Sequence, residues 1–377
     1  MAIIFAFGCC VGSFLNVVIY RLPRGKSIVF PSSACPQCWQ KIKFYDNIPL
    51  ISWILLGGEC RNCRAKISAR YFVIELLTGL AFTFLFYVYF ISSYRSGLRI
   101  ADGGWFVYLV NLVLVAGLIA GSAVDLQYWI IPLSVCWFVS VVGIIGSALG
   151  CFFIDPPLIS QYHLLPSVGS EVSALAAGAG LGLIISLVLL LTGLLKRSYE
   201  SEQQRDSEQI TTEPDPADEN FNHRLEVLKE MVFLLPVVVC AVAFYILVRN
   251  VETLGQWWIS FSQFPVVAGL MGSLWGYLVG CGIVWATRIF GTLAFGKEAM
   301  GLGDVHLLGA AGTVLGAEFA VFGFFVAPFF GLGWAFFQMF SRKIRQIPYG
   351  PFLSLGVFTV MILHNWILSY LGFALYH

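Results

Sequence analysis

Long apolar runs, separated by short polar segments, make up most of the chain. A membrane-spanning helix requires about 17–25 predominantly apolar residues. Ten runs reach or approach this length. The eighth is short and overlaps the ninth. The runs lie near 2–20, 72–92, 105–124, 130–153, 174–195, 231–249, 265–290, 304–320, 319–341 and 352–374. The pattern therefore predicts an all-α integral membrane protein with about ten transmembrane helices.

The composition agrees with this class. Of the 377 residues, 58% are hydrophobic and only 11% are charged, and the mean hydropathy is +0.82. The net charge of +1 gives no general attraction to polyanions, and we find no basic stripe with interleaved aromatic residues of the kind that binds nucleic acid. We therefore expect membrane lipid around the protein and no nucleic-acid partner.

The basic residues predict the orientation. If the N-terminus lies outside, the segments 21–71, 125–129, 196–230, 291–303 and 342–351 face the cytoplasm. They and the adjoining helix ends carry all but three of the 22 Lys and Arg, the exceptions being Arg95, Arg99 and Arg249. Cytoplasmic loops of membrane proteins show this excess of positive charge. Because no basic residue precedes the first run, we interpret it as a retained helix and not as a signal peptide.

Four cysteines in two CxxC pairs predict a metal site. CPQC and CRNC place Cys35, Cys38, Cys60 and Cys63 in the polar segment 21–71. Two such pairs are typical of a tetrahedral zinc site, and disulfides are rare in the cytoplasm. The alternative is four reduced thiols in a loop. We predict structural Zn²⁺ in a small cytoplasmic tetracysteine domain between the first two helices, because four protein ligands leave no open position for a substrate.

Two carboxylates lie at the ends of apolar runs. GLGD places Asp304 at the start of a helix whose Gly309, Gly312 and Gly316 suit close packing, and Asp125 follows the third run. An acidic residue can simply cap a helix N-terminus, but a carboxylate at membrane depth is costly, which favours a functional site. The predicted topology places both on the cytoplasmic side. If they meet, the pair holds one proton, so that one acts as base towards water and the other polarises a peptide carbonyl.

Two other polar features inside apolar runs have alternative interpretations. Gly12, Ser13 and Asn16 form a small polar stripe, for which helix packing with Asn16 bonded to a neighbouring helix is the simpler interpretation. Glu75 lies just inside the second run. It forms either an interfacial ion pair with Arg70 or part of a functional site.

The apolar runs and loops divide the chain into five predicted regions. The stretch 199–220 is strongly acidic, contains two prolines and cannot bury a core, so we expect it to be disordered. The regions are a first transmembrane helix (1–20), the tetracysteine domain (21–71), transmembrane helices carrying Asp125 (72–153), an inserted helical hairpin region containing the acidic loop (154–265), and a transmembrane peptidase core carrying Asp304 (266–377).

Taken together, six motifs resemble those of the bacterial type IV prepilin leader peptidase/N-methyltransferase family, whose proteases are of the GxGD type. They occur in the family's order and touch most of the chain except about 150–265. They are GSFLNVVIYRLP (12–23), CPQC with DNIP (35–49), CRNC with the following RY and Glu (60–75), Asp125 ahead of IIP, GLGD (301–304) and PYGPFLSLG (348–356).

The resemblance implies a function and its residues. Family members cleave the short basic leader from prepilins or pseudopilins of pilus and secretion systems, at the cytoplasmic face of the inner membrane. The family's two catalytic aspartates match Asp125 and Asp304. Many bacterial members also carry the tetracysteine domain and methylate the new N-terminal residue with S-adenosylmethionine.

Three departures from the family pattern stand out. The chain has His306 where members usually have Lys, and Leu133 where they often have Asp. The family usually has about eight helices and the pattern here predicts ten, because the region near 174–250 adds a hairpin. An even number of added helices leaves Asp304 on the same side of the membrane.

Two other functions remain compatible with the residues. One is a peptidase without methyltransferase activity. The other is a non-enzymatic transport or assembly protein whose intramembrane carboxylates carry protons or bind cations. Transport favours an internal repeat with broken helices, and we find no repeat in the sequence.

Overall fold

The computed structural model describes residues 1–92, 94–95, 97–195, 223–341 and 348–376, and these ranges are almost entirely helical. Short 3₁₀ turns lie at Leu22–Arg24, Phe44–Asn47 and Gly150–Phe152. The α-helices are α1 (Ala2–Arg21), α2 (Ile51–Leu55), α3 (Ala69–Phe86), α4 (Trp105–Tyr128), α5 (Leu133–Leu149), α6 (Pro156–Tyr162), α7 (Ser170–Leu191), α8 (His223–Asn250), α9 (Glu252–Ser262), α10 (Pro265–Phe295), α11 (Leu302–Leu315), α12 (Ala317–Ser341), α13 (Gly350–Ile362) and α14 (His364–Tyr376).

Within the described ranges, eight helices are long and apolar enough to cross a membrane: α1, α3, α4, α5, α7, α8, α10 and α12. The prediction of an all-α, multi-pass membrane protein is confirmed. The two remaining runs differ from simple spans. The eighth forms the short helix α11, and the tenth forms the pair α13–α14, which bends by 71° at Leu363 and counts as a ninth span only if the pair is one span.

The short helix α11 lies at the centre of the bundle. Every residue from Leu307 to Leu315 is buried, and α4, α5, α10, α12 and α13 all pack against it. Gly312 contacts Gly276 of α10 so closely that a Cβ on either would lie 2.0 Å from the other's carbonyl oxygen. The predicted close packing at Gly309 and Gly312 is confirmed, whereas Gly316 lies past the helix end with a φ of +93°.

The first helix packs on α3 through its small residues. A Cβ on Gly12 would lie 2.7 Å from the Cα of Glu75, and the Asn16 side chain donates a hydrogen bond of 3.0 Å to the Tyr71 carbonyl. Small residues at such positions let two helices approach closely in lipid, where a polar side chain needs a partner on the neighbouring helix. The packing interpretation of this stripe is therefore confirmed.

Two antiparallel helices form a hairpin in the middle of the chain. Its helices α7 and α8 pack along each other, and α10 contacts both. The Ser186 hydroxyl of α7 donates to the Phe233 carbonyl of α8 at 2.7 Å, and Trp258 of α9 donates to the Ser170 carbonyl at 3.0 Å. The acidic stretch 199–220 lies outside the described residues, so its predicted disorder stays a prediction.

Several functional motifs lie at the same end of the bundle. The tetracysteine domain follows the C-terminal end of α1 and precedes α3. Arg24 stacks over the Tyr128 ring, 5.4 Å from its centroid, and Arg70 hydrogen-bonds Gln127. These contacts bring the last turn of α4, which carries Asp125, to the end of the bundle that carries the cysteines.

Candidate active site

Asp125 lies in the last turn of α4 and is buried. Its backbone carbonyl accepts the N–H of Trp129 at 2.9 Å, and Trp129 takes a left-handed conformation that ends the helix. One of its carboxylate oxygens accepts the backbone N–H of Gly350 at 3.1 Å. The first turn of α13 therefore fixes the side chain of a residue more than two hundred positions earlier in the chain.

Two glycines permit the helices to converge at this point. A Cβ on Gly350 would lie 2.5 Å from the Asp125 carboxylate, and a Cβ on Gly303 would lie 2.8 Å from the Cβ of Ile131. A Cβ on Gly350 would also lie 3.0 Å from the end of the Ile131 side chain. Since such short separations exclude any side chain, glycine is required for the close approach. The GLGD, IIP and PYGP motifs thus meet around Ile131.

Asp304 lies in the first turn of α11, which begins after Gly301. It is buried, and the Asp125 and Asp304 carboxylates are close enough to interact electrostatically. Its Oδ1 atom is buried without a hydrogen-bond partner among the described residues. Buried polar atoms in native proteins nearly always have a partner, so an exception calls for a functional explanation. One oxygen of the Asp304 carboxylate is therefore buried without a donor from the described residues.

Tyr349 is a residue whose position sequence analysis did not predict. It directly precedes α13. Burial, together with the nearby Asp304 carboxylate, raises the pKa of Tyr349 to about 12. The phenol is therefore neutral at pH 7 and can donate a hydrogen bond beside the carboxylate pair. The PYGP motif contains this tyrosine, but the sequence alone gave its side chain no role.

The two positions that depart from the family pattern lie at the starts of α11 and α5. His306 is one turn beyond Gly303 on α11, and its Nδ1 is 2.9 Å from the Tyr277 hydroxyl of α10. The Trp137 ring of α5 lies 5.9 Å from the imidazole, centroid to centroid. Leu133 begins α5 and is exposed. His306 is therefore held by aromatic neighbours that the sequence did not connect with it.

The four predicted metal ligands are brought together. The sulfur atoms of Cys35, Cys38, Cys60 and Cys63 all lie within 4.8 Å of one another, and the Cys35 and Cys63 sulfurs are 3.7 Å apart. A tetrahedral zinc ion with Zn–S bonds of about 2.3 Å places its sulfurs about 3.8 Å apart. The cluster therefore fits Zn²⁺ in both donor type and spacing.

Each cysteine pair sits in the same local backbone arrangement. In the first, the Cys35 N–H donates to the Gln40 carbonyl, and Trp39 is left-handed with a φ of 56°. In the second, the Cys60 N–H donates to the Ala65 carbonyl at the matching position, and Arg64 has a φ of 55°. Isolated bridges, Ala34 to Lys41 and Glu59 to Lys66, close the two turns. The repeated geometry brings two pairs of thiols to one point.

Backbone donors favour the thiolate form at Cys38 and Cys60, whereas, against the Ala65 backbone donor, burial and the neighbouring thiols raise the pKa of the Cys63 thiol to about 11. Backbone N–H groups of Cys63 and Asn62 lower the pKa of the Cys60 thiol to about 7, and the Gln40 N–H is the largest cause of the lowered pKa of Cys38. Metal ligation requires the deprotonated form of cysteine. The backbone donors of the two turns thus stabilise the thiolate forms of Cys38 and Cys60, which are the forms that bind a metal cation.

The tetracysteine domain is tied to the membrane helices through Glu75. The Leu50 N–H donates to the buried Glu75 carboxylate at 2.8 Å, and Arg70 bonds Gln127 instead. The ion-pair interpretation of Glu75 and Arg70 is therefore wrong, because the loop after DNIP supplies Glu75 with a backbone donor. Nearby, Arg61 forms a salt bridge of 2.6 Å with Asp46, which lowers the pKa of that carboxyl group.

A shallow groove separates α1 from the tetracysteine domain. Its volume is about 280 Å³, and its lining includes Ser13, Phe14, Ser33, Asn47 and Pro49. Ligand pockets usually enclose about 300–1,000 Å³, and the lining here has no charged side chain. The groove by itself identifies no site for S-adenosylmethionine, and we assign no residue to the binding of that cofactor.

Comparison with known proteins agrees with the motifs. Residues 6–89 match the family model described as Bacterial Peptidase A24 N-terminal domain. The chain is 47% identical over 132 residues to a prepilin leader peptidase/N-methyltransferase of Myxococcus xanthus, an alignment that covers 35% of each chain. It is 31% identical over 238 residues to a protein of the same name from Aeromonas hydrophila, covering 52% of this chain and 78% of the relative.

The extent of these matches varies. A third relative, the prepilin leader peptidase/N-methyltransferase of Neisseria gonorrhoeae, is 31% identical over 211 residues, covering 49% of this chain and 65% of the relative. The chain thus spans about a third of the Myxococcus relative and just under two thirds of the Neisseria relative. No solved structure matches the chain.

Proposed function

Since the chain belongs to the prepilin leader peptidase/N-methyltransferase family, we propose that it is a membrane aspartic endopeptidase. Its substrates are prepilins or pseudopilins, whose leader peptides it removes at the cytoplasmic face of the inner membrane. It then methylates the new N-terminal residue with S-adenosylmethionine. The observation that carries the peptidase proposal is the convergence of Asp125, Asp304 and Gly350 at one buried point.

The hydrolysis uses the two carboxylates in different roles. One, as carboxylate, takes a proton from a water molecule while the water oxygen bonds to the peptide carbonyl carbon. The other, as carboxylic acid, gives its proton to the carbonyl oxygen. When the C–N bond of the tetrahedral intermediate breaks, the leaving nitrogen takes the proton from the first group. As the new carboxyl C=O forms, a hydroxyl of the intermediate returns its proton to the second group. The pair then holds one proton again and is ready for another cycle.

Residues around the pair maintain this arrangement. The Gly350 N–H donates to one oxygen of Asp125 and so orients its carboxylate. Within the part of the chain that the structure describes, Asp304 Oδ1 has no hydrogen-bond partner, and in this proposal that atom binds water or the peptide carbonyl. Burial of both side chains strengthens their mutual electrostatic interaction, since the local dielectric is lower than in water.

In this proposal Cys35, Cys38, Cys60 and Cys63 hold a structural Zn²⁺. The ion closes the tetracysteine domain, which buries little apolar surface of its own: within 21–68, only Cys35, Ser52 and Gly58 are buried. In such small domains metal binding supplies much of the folding free energy. S-adenosylmethionine supplies the methyl group when bound, and the amine that receives it exists only after cleavage.

The experiment that tests the proposal uses the purified full chain in detergent or lipid, a prepilin and S-adenosylmethionine. Mass spectrometry of the pilin then separates the possible products. A product that lacks the leader and carries one added methyl group is expected. A product without the methyl group would leave a peptidase only, and an unchanged prepilin would contradict the proposed activity and favour transport or assembly.

A further inference from the structure

A buried arginine connects the inserted hairpin with the segment that precedes Asp304. Arg288 lies near the C-terminal end of α10 with a side chain only 1% exposed, and Glu230 of α8 is 2% exposed. We call Arg288, Glu230, Glu298 and the carbonyl of Met300 the Arg288 cluster. Charged side chains this deeply buried are rare unless they are paired.

The first half of the cluster joins α8 to α10. The Arg288 Nε donates to the Glu230 carboxylate at 3.0 Å, and the Trp285 indole donates to the other oxygen of Glu230 at 2.8 Å. The Phe233 ring stacks on Trp285 with 5.7 Å between centroids. Glu230 therefore receives donors from two residues of α10 and is fixed in place by both.

The second half joins α10 to the loop before α11. Arg288 Nη1 donates to the Glu298 carboxylate at 2.5 Å and also to the Met300 carbonyl. One turn later on α10, the Thr292 hydroxyl accepts the N–H of Ala299 at 3.3 Å. Residues 298–300 are thus bonded to the end of α10 at consecutive positions.

This loop sets the start of the helix that carries Asp304. Met300 directly precedes Gly301, and Asp304 lies in the first turn of α11. A guanidinium has its donors in one rigid plane, so a carboxylate that fixes Nε also fixes the direction of Nη1. A shift of Glu230 therefore moves the donor that holds the Met300 carbonyl.

We propose that Glu230 is a positioning residue for Asp304: through Arg288 it holds the 298–300 loop, and the inserted hairpin thereby sets the geometry of the carboxylate pair. The inference rests on the proposed peptidase function. It gives the hairpin a role that neither the motifs nor the relatives' names contain. Glu230 itself touches no reacting atom in this account.

The test compares Glu230→Gln with Ser186→Ala in the full chain. Glu230→Gln keeps the size of the side chain but removes the counter-charge that orients Arg288, while Glu298 remains to pair with the guanidinium. We avoid removing Arg288 itself, because that leaves the buried Glu230 carboxylate without the guanidinium and endangers folding. Ser186→Ala removes a buried hydrogen bond between α7 and α8 without touching α10 or the loop, and it is the matched control.

Two readouts separate positioning from loss of folded protein. The first is steady-state cleavage of a prepilin, with kcat calculated per folded molecule after size-exclusion chromatography. We expect Glu230→Gln to lower kcat about 10- to 100-fold, the cost of a small misplacement of catalytic groups, and to leave KM within about twofold. The second is amide hydrogen exchange, which should accelerate in peptides covering 296–303.

In Ser186→Ala, both kcat and exchange of 296–303 should equal those of the wild type. Wild-type kcat and unchanged exchange in Glu230→Gln would overturn the inference, as would equal losses in the two variants. The failure of the proposed function is a different result: the wild type itself would then leave prepilin uncut. The exchange comparison would still decide whether Glu230 holds the loop.

Discussion

The four-cysteine cluster and the aspartate pair lie at the same end of the bundle but are built in opposite ways. Each cysteine pair is shaped by a turn of eight residues, closed by its own bridge and repeated almost identically in the second pair. The aspartate pair instead combines the end of α4, the start of α11 and the start of α13. The cluster therefore depends on local backbone geometry, whereas the pair depends on how distant helices pack.

The largest loss of cleavage activity is expected when one aspartate of the pair is replaced. Asp125→Asn and Asp304→Asn should each lower leader cleavage at least about 1,000-fold, because a carboxamide cannot exchange the catalytic proton. The measurement is the rate of prepilin cleavage by the purified variants. Asp102→Asn, an exposed aspartate outside the pair, is the control and should cleave at the wild-type rate. Cleavage retained in either active-site variant would remove that residue from the mechanism.

A smaller effect is expected when the packing around the pair is disturbed without changing a carboxylate. Gly350→Ala places a Cβ 2.5 Å from the Asp125 carboxylate, so the side chain must move. A displacement of this size should lower cleavage about 10- to 100-fold.

Gly282→Ala serves as the control for Gly350→Ala. Gly282 is also helical, but a Cβ there meets no atom within 4 Å. The same assay should show wild-type activity in this variant. Equal activity of the two alanine variants would show that Asp125 does not depend on its contact with α13.

Disrupting the zinc cluster should affect metal content more than catalysis. Cys35→Ser and Cys63→Ser should lose the zinc, about one ion per chain in the wild type, and unfold the tetracysteine domain. Cleavage should fall only several-fold, on the order of 1 kcal/mol, because the carboxylates lie on the membrane helices. Elemental analysis and limited proteolysis provide the readouts. Cys10→Ser, an exposed cysteine outside the cluster, should retain the metal, and full zinc content in both cluster variants would place the ion elsewhere.

The smallest effect is expected at His306. His306→Lys introduces the residue usual in the family. The substitution removes the contact between His306 and the Tyr277 hydroxyl, which involves neither Asp125 nor Asp304. Cleavage should stay within about threefold of the wild type, since a long side chain can extend its ammonium towards water. A loss comparable to that of Asp304→Asn in the same assay would instead give the imidazole a role in catalysis.

The difference between the two sites also explains what the sequence could predict. The spacing of Cys35, Cys38, Cys60 and Cys63 predicted their meeting because each turn is local. The apolar runs predicted the long helices and α11, but not the short helices α2, α6 and α9. The glycine spacing of α11 predicted close packing, but not that α10 is the partner. The bend at Leu363 and the end of α11 at Gly316 were not predicted, because apolar periodicity does not register a break between two apolar helices.

Other features required the three-dimensional packing. The backbone N–H of Gly350 donates to the Asp125 carboxylate, and the backbone N–H of Leu50 donates to the Glu75 carboxylate. The partners are so far apart in sequence that residue spacing cannot predict either hydrogen bond. In the sequence Arg288 was counted only among the basic residues at helix ends, and Glu230 was given no role. Both side chains are buried because the inserted hairpin packs on α10. The sequence predicted the hairpin but not the helix against which it packs.

The central claim is that Asp125 and Asp304, although distant in sequence, act as one catalytic unit. The most direct test compares single-turnover prepilin cleavage, with enzyme in excess, by Asp125→Asn, Asp304→Asn and the double variant. Residues that act as a unit show strongly non-additive losses. The account predicts that the double variant cleaves about as slowly as either single variant. A loss in the double variant equal to the product of the two single losses would show independent roles and contradict the claim.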